Sequence, residues 1–325
     1  MATALAQLMS LPIVLLAPHP TPVDELTRLR AALGPRAPRL LMKRDDLLSF
    51  AMGGNKVRKI QAIAAEARAA GADLLVTCGG VQSNHARVTA AAGAALGIKV
   101  VLVLNGAPPA KATANTLLDA LFGAEIRYVP SRDARAPMME TIAAEARAAG
   151  RRPFVVPLGA STPTGALGFA RGVAELVTAG HRPHVIVSAT SSGGTQAGLI
   201  AGAALLGLDT RIVGVSADDG AASLAGTVGT LVAGMAATLG AKPASLHRDR
   251  PIDVDDKFVG GGYGVPTPES TEALELVART EGILLDPVYT AKAMAGLIAR
   301  VRGGRFSPDE TVLFWHTGGQ VANFV

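Results

Sequence analysis

A chain of 325 residues can bury a large core and is long enough for two domains. Hydrophobic residues make up 49% of it and aromatic residues only 4%, which suits Ala- and Gly-rich helices packed closely on a sheet. The 31 basic and 26 acidic side chains leave a net charge of +5, scattered as single Arg and Lys positions, so nothing resembles a nucleic-acid-binding stripe.

Cys78 is the only cysteine, which rules out an intramolecular disulfide, and its place at the end of an apolar run fits burial as a small hydrophobe. Residues 8–17 are apolar but short and interrupted by Pro12, with no basic segment before them, so no signal peptide is expected. No run reads as long enough to span a membrane. The expectation is a soluble, cytoplasmic protein with neither a membrane nor a nucleic acid as partner, and no metal site.

Pro18, Pro20 and Pro22 keep the entry extended, after which Asp24 caps a predicted short helix through Leu33. Residues 40–43 read as a brief strand. A helical pattern over 57–70 stops at Gly71, and 73–77 is the continuous apolar run of a strand buried on both faces of a parallel sheet. Predicted helices 86–96, 113–122 and 138–149 then alternate with strands 99–104, 125–129 and 153–157. Residues 159–168, GASTPTGALG, read as a loop and a hinge between domains. Beyond it, strands 184–189, 211–217, 283–285 and 311–315 are interleaved with helices 196–206, 224–239, 271–281 and 290–302. This alternation predicts an α/β protein with open parallel sheets, right-handed crossovers and helices on both faces. IAAEARAAG occurs at 63–71 and again at 142–150, and convergence of Ala-rich helices explains it better than duplication.

The stretch 43–59, KRDDLLSFAMGGNKVRK, organises the chemistry. An amine acts as a covalent catalyst only where its charge is suppressed beside a carbonyl, and most lysines are simply solvated. Gly53 and Gly54 let backbone approach a bound ring, and Lys56 sits where that loop becomes a helix. Thr190 to Thr195, TSSGGT, follows a strand and opens a helix, so its N–H groups and hydroxyls form a candidate phosphate site, although an ordinary strand–helix corner looks the same. Gly79 to His85, GGVQSNH, is a second such corner, in which Ser83 and Asn84 are also plain helix caps.

KRDD, GGNKxRK, GGVQSNHxR, SGGTxAGL, GYGVPT, LLDPVYTxKAMAGLI and HTGG occur in this order along nearly the whole chain. Together they resemble the pyridoxal-phosphate (PLP) enzymes of the D-cysteine desulfhydrase and 1-aminocyclopropane-1-carboxylate deaminase family. The resemblance implies a fold of the tryptophan synthase β-subunit-like kind (fold type II) with discontinuous domains, 1–58 with 165–325 forming the large one and 59–164 the small one. It implies a homodimer acting on a small amino acid. It assigns covalent attachment of PLP to Lys56 and the phosphate to Ser192, Gly193, Gly194 and Thr195. Asn84 is implied to meet the cofactor's phenolic oxygen. Ser83 is implied to meet the substrate carboxylate and to serve in proton transfer, while Tyr263 and Tyr289 stand beside the substrate and His85 lines the pocket.

Thr290 and Thr317 stand where the cyclopropane deaminases carry Glu and Leu, and the resemblance puts both near the pyridine ring. A hydroxyl there keeps the ring nitrogen protonated less well than a carboxylate, which suits a good leaving group on Cβ rather than ring opening. The expected activity is β-elimination, D-cysteine giving pyruvate, hydrogen sulfide and ammonia. STPTGALGF at 161–169 resembles the matching segment of L-cysteate sulfo-lyases, which makes sulfite the alternative leaving group. A non-catalytic ligand-binding homologue is the rival from another class, and intact Lys56, Ser83 and Tyr289 speak against it.

Overall fold

The computed structural model describes residues 2–247 and 250–325. The order is α1 (Ala2–Ser10), β1 (Val23–Glu25), α2 (Thr27–Leu33), β2 (Arg39–Arg44), α3 (Asn55–Ala69), β3 (Leu74–Gly80), α4 (Asn84–Leu96), β4 (Lys99–Asn105), α5 (Ala114–Leu121), β5 (Glu125–Val129), α6 (Arg135–Ala148) and β6 (Pro153–Val155). Then come α7 (Pro163–Thr178), β7 (Val185–Thr190), α8 (Gly194–Leu205), β8 (Arg211–Ser216), α9 (Ala221–Thr238), α10 (Pro243–His247), β9 (Asp253–Asp255), α11 (Pro268–Glu281), α12 (Thr290–Arg302) and β10 (Thr311–His316).

Two sheets result. One has the order β1-β2-β10-β7-β8-β9, parallel except for the antiparallel edge strand β1, and the other is the all-parallel β5-β4-β3-β6. Strands such as β7 are buried along their whole length, and uninterrupted apolar sequence is what a strand covered by helices on both faces requires. In both sheets the parallel strands carry their carboxyl ends to one edge, where loops gather.

Helices α7 and α8 lie unusually close because glycines line the contact. A Cβ on Gly198 would stand 2.1 Å from the Ala166 carbonyl oxygen. Beneath α3, Asp45 is fully buried and accepts from Arg58 (2.6 and 2.8 Å), Thr21 (2.8 Å) and the Trp315 indole (2.7 Å). Arg58 also reaches Glu175 on α7 at 2.8 Å. This buried network clamps the helix that carries Lys56, and removing one partner of such a set costs about 3–5 kcal/mol.

Several predicted elements differ. Residues 159–168 are not one loop: α7 begins at Pro163, with the Thr162 hydroxyl accepting from Gly165 N at 3.0 Å. The Ser, Thr, Pro and Gly that suggest a hinge are the residues of a helix N-terminus. Residues 283–285 form no strand and only connect α11 to α12. Asp24 does not cap α2 but lies in β1, its carboxylate on Arg44 at 2.6 Å. The helix α1, which buries Ala4 and Leu8, and the short edge strand β9 are not among the predicted elements. Among the described residues one helix, α9, is long and apolar enough by length and composition to cross a membrane, against the expectation that no run reaches that length. It buries Leu224, Val228, Leu231, Val232 and Met235, most of them in a core cluster shared with α7 and α8, as a helix of a folded domain does.

Candidate active site

A cavity of about 680 Å³ opens where loops of the two sheets face each other. Lys56 enters it from the first turn of α3, just after the β2–α3 loop. The turn before it needs Gly53 (φ +69°) and Gly54 (φ +98°), where a Cβ would strike the Asp46 and Thr317 carbonyl oxygens at 2.4 and 2.9 Å. Asn55 N donates to Thr317 O at 2.9 Å, which ties the lysine loop to the end of β10. The Lys56 amine has no hydrogen-bond partner among the described residues, and burial lowers its pKa to about 8. About a tenth of it is therefore neutral at pH 7, the form able to attack a carbonyl.

Across the cavity, the loop after β7 enters α8 through Gly193 in the left-handed region. Ser161 and Ser192 share a hydroxyl contact of 2.7 Å, and Asn55 Nδ2 donates to Thr195 Oγ1 at 3.0 Å. The unforeseen member is Lys59. Its side chain is buried, its amine donates to Ser161 Oγ at 3.0 Å, and no carboxylate pairs with it among the described residues. Burial, then the charge of Lys56, pushes its pKa well down. A Cβ on Gly194 would sit 2.7 Å from Ser161 Oγ and 2.9 Å from that amine. A buried amine without a counter-ion among the described residues, beside serine hydroxyls and the N-terminus of a helix, fits a phosphate, whose negative charge would favour its protonated form. Gly194 faces Lys59 rather than the cavity wall, which is made here by Ser192, Gly193 and Thr195. The signal for Lys59 was available: three residues after Lys56, it lies on the same helix face.

On the β3–α4 side, Ser83 caps α4, its hydroxyl accepting from Ala86 N at 3.2 Å, so its own proton remains free. Ser83, Asn84 and His85 all line the cavity. Thr77 spends its proton on Val156 O at 2.7 Å and therefore accepts from His85 Nε2, 2.7 Å away. Burial, then the charges of Lys56 and Lys59, keeps the His85 pKa well below the usual value, so the ring is neutral with its proton on Nε2 and Nδ1 left as an unpartnered acceptor among the described residues. That removes it as a cationic group at neutral pH.

Tyr263 and Tyr289 line the mouth, their hydroxyls 2.5 Å apart and their rings edge to face. Burial pushes the Tyr289 phenol well above its ordinary pKa, so it stays protonated and can donate. Asp286 holds Tyr289 in place by accepting from Val288 N and Tyr289 N, both at 2.9 Å. Thr317 is on the wall, but Thr290 is not: its hydroxyl is fully buried and bonded to Asp286 Oδ1 at 2.6 Å. The expectation of a Thr290 hydroxyl facing the ring is therefore corrected. As the first residue of α12 it belongs to the helix start, where the Asp286 carboxylate supplies the cap.

Two facing parallel-sheet units, a desolvated lysine and a glycine-rich anion corner define a PLP enzyme of fold type II. Residues 14–318 match the family described as pyridoxal-phosphate dependent enzymes, and the chain belongs to that family. It is 39% identical over 315 residues to a D-cysteine desulfhydrase of Salmonella typhi, covering 94% of this chain and 93% of that one. A crystal structure of an ACC deaminase homologue superposes with a TM-score of 0.91 at 37% identity, over 100% of this chain and 97% of the other. A threonine deaminase of tomato, Solanum lycopersicum, shares the fold, with a TM-score of 0.67 at 17% identity over 98% of this chain and 84% of that one. The protein is a PLP-dependent lyase, and the residues around the cavity fit the cofactor.

Proposed function

We propose that the enzyme catalyses β-elimination on a small amino acid, with D-cysteine as substrate and pyruvate, hydrogen sulfide and ammonia as products. The observation that carries the reading is the unpaired, desolvated Lys56 amine opposite the Ser192 to Thr195 corner in one cavity. Bound PLP supplies an electron sink for negative charge at the substrate α-carbon. Lys56 would hold the cofactor, and Ser192, Gly193, Thr195 and Lys59 its phosphate. The Lys56 amine would be placed to take the α-proton, with the Ser83 hydroxyl as the neighbouring group. The N-terminus of α4 favours the substrate carboxylate. Tyr289, kept protonated by burial and hydrogen-bonded to the Tyr263 hydroxyl, is placed to protonate the departing sulfur. The eliminated aminoacrylate then takes up water to give pyruvate and ammonia.

A second reading, L-cysteate with sulfite leaving, is favoured by one observation. Arg135 borders the cavity mouth, where a sulfonate would meet its positive charge, beside Arg132, whose guanidinium is paired with Asp218 at 3.0 Å. Threonine at 290 and 317, where the cyclopropane deaminases carry Glu and Leu, speaks against cyclopropane ring opening. A panel of D-cysteine, L-cysteine, L-cysteate, β-chloro-D-alanine and the cyclopropane amino acid separates these readings. The highest kcat/KM is expected for D-cysteine with sulfide release. Dominant L-cysteate turnover with sulfite would install the second reading, and 2-oxobutyrate from the cyclopropane substrate would overturn β-elimination.

A further inference from the structure

Arg87 on α4 is 1% exposed, yet no carboxylate is bonded to it among the described residues. Its Nη1 donates to Asn84 Oδ1 at 2.7 Å and to Asn115 Oδ1 at 2.5 Å, and its Nη2 to the Gly53 carbonyl oxygen at 3.1 Å. A guanidinium has only donors, so both amides must turn their oxygens toward it. Asn115 then spends its own NH2 group on Gln82 O at 2.8 Å and on Asn84 Oδ1 at 3.1 Å. Asn84 Oδ1 therefore accepts twice, while its Nδ2 has no partner among the described residues and the side chain borders the cavity. A flipped amide would press NH2 against the guanidinium.

We propose that Arg87 is a positioning residue for the cofactor, locking the Asn84 amide with its NH2 group turned into the cavity and so setting the pH at which the lysine–cofactor linkage changes protonation. The same guanidinium holds Gly53 of the lysine loop, so the Asn84 amide lies beside the loop that presents Lys56. In PLP the ring oxygen is ortho to the carbon that joins the lysine, and the phosphate branches from the far side of that carbon. With the phosphate taken by the Ser192 to Thr195 corner, a donor next to the lysine loop meets the ring oxygen. It stabilises the anionic oxygen and lowers the proton affinity of the linkage nitrogen beside it. Burial lowers the Arg87 pKa to about 10 against the pull of the nearby Asp119 carboxylate on α5, which makes no hydrogen bond to it among the described residues.

The test is a pH titration of the visible absorbance of the cofactor-loaded protein, which requires no substrate and so stands apart from the identity of the reaction. Arg87→Gln and Asn84→Ala are each expected to raise the spectral transition by about one pH unit. The double variant is expected to go no further than Asn84→Ala alone, because both changes act through one hydrogen bond. An unmoved transition in Arg87→Gln overturns the proposal. So does an additive shift in the double variant, since Arg87 would then act through its charge alone. Should Arg87→Gln fail to fold or load, Arg87→Lys keeps the charge but cannot grip Asn84, Asn115 and Gly53 together. A rise of about threefold in proton affinity is expected there, and a transition unchanged from the parent overturns the proposal.

Discussion

Asp119 on α5 offers a quantitative test of how burial shapes this molecule. Its carboxylate is fully buried, and neither oxygen has a hydrogen-bond partner among the described residues. Burial pushes its pKa up to about 7, while nearby Arg87 pulls in the other direction. Because the folded chain binds this proton more tightly than the unfolded chain, whose value is 3.8, stability falls as pH rises from about 4 to about 7. Each tenfold difference is worth about 1.4 kcal/mol, so the ionised carboxylate costs about 4 kcal/mol above pH 7, of which about 3 kcal/mol is lost between pH 5 and pH 8. Asp119→Asn removes the titration and leaves the shape. In urea unfolding of the cofactor-saturated protein, the variant should gain about 3 kcal/mol over the parent on going from pH 5 to pH 8. Parallel stability curves for the two proteins would refute the reasoning, because Asp119 would then not be titrating in that window.

Lys56→Ala should abolish both the visible absorbance of PLP-loaded protein and turnover, and full activity in that variant would remove the proposed chemistry. Lys59→Met should weaken PLP binding by about tenfold or more in equilibrium dialysis, through loss of a charge-assisted contact to phosphate, and unchanged affinity would place the phosphate elsewhere. Thr290→Glu should lower stability by about 3 kcal/mol in chemical denaturation, since it buries a second carboxylate against Asp286. Unchanged stability with an altered cofactor spectrum would return position 290 to the ring. Gly198→Ala should cost about 2 kcal/mol or more by driving a methyl group into the Ala166 carbonyl of α7, and a neutral effect on thermal unfolding would mean the helices part easily.

Most of the α/β alternation was legible because burial writes itself into sequence. Strand β7 is apolar throughout since helices cover both its faces, and α12 spans the residues its pattern predicts, 290–302. The repeated IAAEARAAG supports a helix twice, ending at Gly71 and Gly150 with positive φ, yet Ile63 is buried in a core cluster while the second copy lies in the more exposed α6. Identical local propensity therefore coexists with different burial. The misreadings share a cause. Ser, Thr, Pro and Gly around 162–165 serve equally well in a loop or at a helix start, and a short apolar run such as Ile283 to Leu285 needs a neighbouring strand before it becomes one itself.

For the site, the chain by itself determined which residue types gather in motifs: a lysine after two glycines, a glycine-rich corner after a strand, and tyrosines in GYG and PVYT. Only the tertiary structure decided which of them share a cavity and in what state. It placed the Lys59 amine against Ser161 beside the glycine-rich corner, took the Thr290 hydroxyl away to Asp286, made His85 a donor to Thr77 and turned the Asn84 amide with Arg87. The physical reason is that protonation and hydrogen-bond direction depend on burial and on neighbours distant in sequence, such as Lys59 and Ser161, and these exist only once the chain has folded.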